Sequence, residues 1–201
     1  MIKNIVFDMG NVLISFDPEH FLDVFVQDSD DKELLFKKVF HSLEWLKTDS
    51  GELTVPQAIA LVQEKVPQRL HQAVEDLFLR WIEHSEPNQE MEKLVTELKE
   101  KGYHLYLLSN ISSYFHEFKH RISVLQHMDG VFASADYHMM KPYPEIYETF
   151  LQTYRLNAEE CFFVDDLPLN IAGAEKVGIK GAVFHGDVAY LRQELQEEKI
   201  I

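Results

Sequence analysis

A single cysteine, Cys161, is all the thiol chemistry this chain carries, so no disulfide framework forms within it. It sits in the apolar run from Cys161 to Val164, where an inert buried thiol is expected rather than a nucleophile. Basic residues are also scarce. Nineteen Lys and Arg face 34 Asp and Glu, a formal charge of −15. Such a field opposes nucleic acid, whose phosphates need clustered cations. It repels small anions at long range too, so an anionic substrate needs a cation or a bound metal at its own site. No stretch of about 18 apolar residues occurs, and the N-terminus lacks the apolar core of a signal peptide. No membrane partner and a soluble, reducing, cytoplasmic setting are therefore expected. Internal repeats and low-complexity tracts are missing. The ten His show no paired metal spacing; His116 and His120 lie four apart without a third ligand and read as a polar helix face.

Large side chains are plentiful by contrast. Hydrophobic residues make up 46% of the 201, with 14 Phe among them, enough for a sizeable core, in one ordinary domain or in one core plus an insertion. Five apolar runs have strand character: Ile5 to Phe7, Leu105 to Leu108, Val131 to Ala133, Cys161 to Val164 and Gly181 to Phe184. None alternates cleanly with polar residues, which suits strands buried on both faces of a parallel sheet. From residue 89 onward they alternate with helical patterns. Those are Gln89 to Lys101, stopped by Gly102, then Pro144 to Tyr154, then Pro168 to Val177, stopped by Gly178. The order is that of βαβ units.

Between the first and second strands lie about 90 residues without a strand. Amphipathic helical stretches fill them, at about Pro18 to Val26, Asp31 to His41, Pro56 to Lys65 and Gln68 to His84. Thr54 is the expected cap of the third. Both Trp45 and Trp81 fall in this region, placed either to pack it or to face a substrate.

Four strand ends carry polar residues. Asp8 follows the first run, with Gly10 and Asn11 just after it. Ser109 and Asn110 end the second, Lys141-Pro142 follows the third, and Asp165-Asp166 ends the fourth, with Asn170 one helical turn on. In a parallel sheet all C-terminal tips share one edge, so these residues are expected to converge. Grouped carboxylates repel unless a cation sits among them, and Mg²⁺ is the oxygen-seeking ion that suits such a group. Taken singly, Asp8 is a turn residue, Ser109 and the acidic pair are helix caps, and Lys141 is a solvated lysine.

Together the four motifs resemble the haloacid dehalogenase-like (HAD) superfamily of hydrolases. They are Phe7-Asp8-Met9-Gly10-Asn11-Val12, Leu108-Ser109-Asn110, Lys141-Pro142 and Val164-Asp165-Asp166. The resemblance implies an α/β fold, a Rossmann-like parallel sheet core with helices on both faces and an α-helical cap inserted after strand 1. It places the core at residues 1–14 and 88–201 and the cap at 15–87. The Asp-x-Gly-Asn-Val form is similar to a branch that contains α-D-glucose-1-phosphate phosphatase.

It implies a Mg²⁺-dependent phosphatase acting through an aspartyl-phosphate on a small phosphorylated metabolite, a sugar phosphate by preference. Asp8 would be nucleophile and metal ligand, with the Gly10 carbonyl and Asp166 as further ligands. Asp165 would support the metal waters within the catalytic group. Ser109 and Asn110 would hold the phosphoryl group, and Lys141 would neutralise both it and Asp8. Two alternatives remain: a haloacid-type dehalogenase, and a catalytically weak phosphate-binding or regulatory protein. The sequence sets no oligomeric state.

One position departs from the family pattern. Most phosphatases of the family carry a second Asp two residues after the nucleophile as general acid and base, and here that place holds Gly10. Such help is worth about 10²- to 10⁴-fold in rate. Asp17 and His20, at the start of the insertion, are candidates to reach the site, or simply begin a helix.

Overall fold

A computed structural model describes all 201 residues. Its centre is one sheet of five parallel strands in the order β3-β2-β1-β4-β5. They are β1 (Asn4–Phe7), β2 (His104–Ser109), β3 (Gly130–Ala133), β4 (Cys161–Asp165) and β5 (Lys180–Val183). Each lies within a residue or two of the expected run. β1 is central, with Phe7 level with Leu107 on one side and Val164 on the other.

The missing polar alternation has a direct cause. Successive side chains point to opposite faces, and both faces are covered. Ile5, Phe7, Leu105, Leu107, Phe162 and Val164 enter one apolar core. Val6, Tyr106, Leu108 and Phe163 enter a second. The larger core runs without a break into the helices between β1 and β2, taking in Phe21, Leu35, Val74 and Trp81. No helix is long and apolar enough to cross a membrane.

The insertion after β1 holds α1 (Pro18–Phe25), α2 (Ser29–Leu35), α3 (Leu43–Asp49), α4 (Val55–Gln63) and α5 (His71–Leu79). Short polar side chains start four of them. Asp17 caps α1, Asp28 caps α2, Ser42 caps α3, and Thr54 with Gln57 forms a reciprocal capping box on α4. The expected helix from Asp31 to His41 instead begins at Ser29 and ends in a π-helical turn, Phe36–Phe40. The expected helix from Gln68 to His84 is broken at Arg80, whose guanidinium bonds Asp76 and Glu83 at 3.1 Å. The chain then turns through Trp81–His84 as a 3₁₀ helix. That break carries Trp81 inward against Phe16, Phe21 and Phe118, with ring centroids 5.3–5.9 Å apart.

The two passages into and out of the insertion are bonded to each other. Ser15 N–H donates to Glu86 O, the Ser15 hydroxyl accepts from Glu86 N–H, and Asn88 N–H donates to Leu13 O, at 2.8–2.9 Å.

After the insertion come α6 (Gln89–Glu100), the short α7 (Phe115–Phe118) and α8 (Ser134–Tyr137), α9 (Pro144–Tyr154), α10 (Pro168–Glu175) and α11 (Val188–Glu197). Gly173 shows how tightly α10 is seated. A Cβ there would lie 2.4 Å from Pro142 O, closer than van der Waals contact allows. Gly173→Ala is therefore expected to lower stability by about 1–3 kcal/mol, read as the shift in denaturant midpoint at unchanged slope. An unaltered midpoint would show that α10 tolerates displacement.

Candidate active site

The turn after β1 sets the site. Asp8 N–H donates to Val164 O at 2.9 Å, which fixes the nucleophile candidate against β4. The chain then folds back on itself, with Leu13 N–H reaching Met9 O at 2.9 Å. Asn11 takes the left-handed conformation at φ 56°, which Asn adopts more readily than most residues. Its amide donates to Asp166 Oδ2 at 3.1 Å, and its carbonyl accepts from Phe16 N–H at 3.0 Å. One side chain thus ties the β1 turn to the acidic pair and to the start of the insertion.

Lys141 lies at the centre, almost wholly buried. Its Nζ is 2.9 Å from Asp8 Oδ1 and 2.6 Å from Asp165 Oδ2, and it donates to Leu108 O at 3.0 Å. Burial works against its charge, but Asp8 and Asp165 outweigh it and raise its pKa, so the ammonium persists. Lys141-Pro142 is a cis peptide. Asn110 clasps the Lys141 backbone from both sides. It donates to Lys141 O at 3.0 Å and accepts from Lys141 N–H at 2.9 Å. One amide hydrogen of Asn110 is therefore engaged and the other remains.

The two adjacent aspartates differ. Asp165 is fully enclosed and accepts from Lys141, from Leu167 N–H at 2.8 Å, and from the Asn170 amide at 2.9 and 3.0 Å. Asp166 has only the Asn11 amide. One carboxylate oxygen from each of Asp8, Asp165 and Asp166 lies within 4.8 Å of the others. Burial first, opposed by Lys141 and reinforced by Asp165, pushes the Asp8 carboxyl up to about 6. Burial also raises Asp166.

This donor set fits a hard divalent cation. It is all oxygen, and the Gly10 carbonyl accepts no hydrogen bond within the protein. Asp8 Oδ1 is sealed from solvent and meets only Lys141, without the alignment of a hydrogen bond. Asp165 is already saturated, so Asp8, the Gly10 carbonyl and Asp166 have the lone pairs to offer.

A cavity of about 260 Å³ opens above these groups. Asp8, Gly10, Asn11, Ser109, Asn110, Lys141, Asp166 and Asn170 form its floor. Ser109 is buried there, and its hydroxyl makes no bond inside the protein. The insertion supplies Phe16, Trp45, Asp49 and Trp81. Both Trp therefore pack the insertion and face the cavity at once.

Of the two roles open to Asp17 and His20, reaching the site or beginning a helix, the structure supports the second. Neither lines the cavity. Asp17 accepts from Glu19 and His20 N–H groups at 3.1 Å and is a helix cap. His116 pairs with Asp136 at 2.8 Å, away from the cavity. Burial pushes the Cys161 thiol up to about 11, which keeps it unreactive. The residue missed entirely is Asp49.

The site is thus an acidic cluster at the carboxyl edge of a parallel sheet, bridged by a buried Lys and faced by residues of the helical insertion. The haloacid dehalogenase-like hydrolase family matches residues 2–178, and the chain belongs to it. Among curated relatives, a sesquiterpene phosphatase of Aspergillus oryzae is 29% identical over 187 residues, covering 89% of this chain and 88% of that protein. The D-ribitol-5-phosphate phosphatase of Bacteroides thetaiotaomicron is 26% identical over 193 residues, covering 90% of each. Among solved structures, a HAD-family enzyme from Bacteroides thetaiotaomicron in complex with magnesium and inorganic phosphate superposes with a TM-score of 0.73. It is 24% identical, over 95% of this chain and 99% of that one. The L-2-haloacid dehalogenase of Xanthobacter autotrophicus shares the fold at a TM-score of 0.68 and 17% identity, over 100% of this chain and 85% of that one.

Proposed function

We propose that this hydrolase is a Mg²⁺-dependent phosphatase that cleaves a small phosphorylated metabolite through an aspartyl-phosphate on Asp8. The observation that carries this reading is the placement of Asp8 within 4.8 Å of Asp165 and Asp166, with the Lys141 ammonium among them. Asp166, engaged only by the Asn11 amide beside Asp8, has lone pairs to offer a cation, which favours metal-assisted phosphoryl transfer over dehalogenation. The phosphatases among the relatives support the same choice.

Asp8, the Gly10 carbonyl and Asp166 would hold Mg²⁺, which when bound neutralises charge on the phosphoryl oxygens. Ser109 and Asn110 donate to those oxygens from the tip of β2. Lys141 offsets the charge shared by Asp8 and the phosphoryl group. Asp8 attacks phosphorus in line, the bond to the leaving oxygen breaks, and water later attacks the same phosphorus to release Asp8. Asp165 keeps Lys141 in place; the water-supporting role expected of it is not open, because both its oxygens are already taken by Lys141, Leu167 N–H and the Asn170 amide. Residues 15–87 act as a cap over a core of 1–14 and 88–201, and the cap's Phe16, Trp45 and Trp81 enclose the leaving group.

A cavity of about 260 Å³ suits a phosphoryl group with a modest alcohol such as a sugar or polyol. The Asp-x-Gly-Asn-Val turn keeps α-D-glucose 1-phosphate among the candidates. The test is a panel of ribitol 5-phosphate, glucose 1-phosphate, glucose 6-phosphate and aryl phosphates, each with Mg²⁺ and with chelator. Phosphate release that needs Mg²⁺ is expected. Activity that survives chelation, or no release from any member, would contradict the reading.

Metal affinity should follow the Asp8 carboxyl. A proton on Asp8 competes with the cation, and its pKa stands near 6 in the metal-free protein. Lowering the pH from 7.5 to 5 leaves roughly one-tenth of Asp8 ionised, so the apparent Mg²⁺ Kd should rise about tenfold or more. Calorimetric titration at the two pH values checks this. A Kd that does not change would separate Asp8 from the ion.

A further inference from the structure

Position 10 lacks the carboxylate that would give a proton to the leaving group, and the cavity holds one carboxyl outside the acidic cluster. That carboxyl is Asp49, the last residue of α3. We propose that Asp49, carried by the cap, is the general acid and base of this enzyme. The inference rests on the phosphatase reading above and assigns to that site its proton donor.

Three features carry it. First, Asp49 lines the same cavity as Asp8 but is not one of the three carboxylates gathered within 4.8 Å. It therefore stands outside the carboxylate group that would hold the ion, on the cavity wall that the insertion supplies. Second, its backbone is fastened to the core beside the β2 tip. Ser134 Oγ donates to Asp49 O at 2.6 Å, and the same hydroxyl accepts from Ile111 N–H at 2.8 Å. Gly51 packs so closely that a Cβ would lie 2.4 Å from Ala135 O, and its φ of +74° also calls for Gly. The carboxyl is thus held at a set place relative to Ser109 and Asn110, although it belongs to the cap. Third, its environment favours the protonated form. Burial raises its pKa well above the usual carboxylate range, Asp8 adds to that, and the Ser112 N–H and the Trp45 indole oppose it. A carboxyl whose pKa is raised in this way is suited to acid catalysis.

The steps balance. Asp8 attacks phosphorus, the bond from phosphorus to the leaving oxygen breaks, and the Asp49 proton goes to that oxygen. Water then attacks the aspartyl-phosphate, Asp49 takes its proton, and the bond from phosphorus to Asp8 breaks. Inorganic phosphate leaves with both aspartates restored.

The test uses leaving groups of different quality. Phenyl phosphate needs its oxygen protonated; 4-nitrophenyl phosphate does so far less. With Mg²⁺, Asp49→Asn should cut release of phenol by about 10²- to 10⁴-fold while the first-turnover burst of 4-nitrophenol changes less than about tenfold. Gly10→Asp supplies the second variant. A Cβ at position 10 meets only Phe16 Cβ, at 3.5 Å, so a carboxylate can be introduced there. Adding it to Asp49→Asn should restore at least a tenfold share of the phenyl phosphate rate.

Equal losses on both substrates, unrelieved by Gly10→Asp, would assign Asp49 to holding the cap and overturn the proposal. So would an Asp49→Asn enzyme as active as wild type. A wild-type enzyme inactive on both esters would instead sink the phosphatase reading, and this proposal with it.

Discussion

Asp8→Asn is expected to lower phosphate release by about 10⁴-fold or more, the scale seen when a nucleophile is removed from a concerted site. The amide has nearly the shape of the carboxylate, so the β1 turn should stay as it is, with Asp8 N–H still on Val164 O. The loss would therefore be chemical rather than conformational. Stability separates the two. A carboxyl whose folded pKa is raised stabilises the protein fully only below the unfolded value, and that contribution is lost as pH rises through the folded value. For Asp8 the window runs from 3.8 to about 6. At pH 7.5 the ionised group costs the metal-free protein stability, and the neutral amide removes that cost. Asp8→Asn in chelator should melt within a few degrees of wild type and lose most of the upward shift that Mg²⁺ gives wild type. A variant that keeps more than about a tenth of the wild-type rate would rule Asp8 out as the nucleophile.

Lys141→Met should have the largest effect on stability. The Lys141 ammonium is buried between two carboxylates at 2.9 and 2.6 Å. Removing it strands two like charges in a site that water barely enters. Breaking a buried pair in this way costs about 3–5 kcal/mol, which for a chain of this size is a fall in Tm of roughly 6–20 °C. Met keeps most of the volume, so a packing void explains little of that fall. The deficit should shrink toward pH 5, where Asp8 takes up a proton and one of the stranded charges disappears. It should also shrink with Mg²⁺ at neutral pH, because the cation supplies part of the missing charge. Thermal unfolding at pH 5 and 7.5, with Mg²⁺ and with chelator, gives the four values needed. A Tm that is unaffected in all four conditions would show that Lys141 does not balance the cluster.

Much of this arrangement is legible in the chain because parallel strands convert sequence into position. Once Ile5, Leu105 and Cys161 each begin a strand in one parallel sheet, the polar residues that end those strands must meet. Asp8, Ser109 and Asp165 do so although the first and the last stand 157 positions apart in the chain. The linkage of Asn11 to Asp166 is less legible, because it depends on one residue taking φ 56°.

The insertion is harder to read for a physical reason. A helix announces itself through an apolar stripe, and α3 has none facing the core. Its Leu43 and Leu46 are 66% and 49% exposed, while Trp45 and Asp49 turn to the cavity. Only the Ser42 cap marks its start. α11 differs, since Val188, Leu191 and Leu195 form a buried stripe behind the Asp187 cap, and those signals stand in the sequence. Asp17 shows the opposite hazard. An acidic residue just after the first motif invites a catalytic role, but its oxygen is already used by two backbone N–H groups at the start of α1.

In the proposed reaction Asp8 takes the phosphoryl group beside an ion held by Asp8, the Gly10 carbonyl and Asp166. A crystal structure grown with Mg²⁺ and beryllium fluoride tests it most directly, since trifluoroberyllate mimics a phosphoryl group on a carboxylate. Beryllium bonded to an Asp8 oxygen is predicted, with Mg²⁺ coordinated by Asp8, the Gly10 carbonyl and Asp166, and fluorines within reach of Ser109 and Lys141. An ion bound elsewhere, or Asp8 left unmodified while another side chain carries the beryllium, would contradict the account.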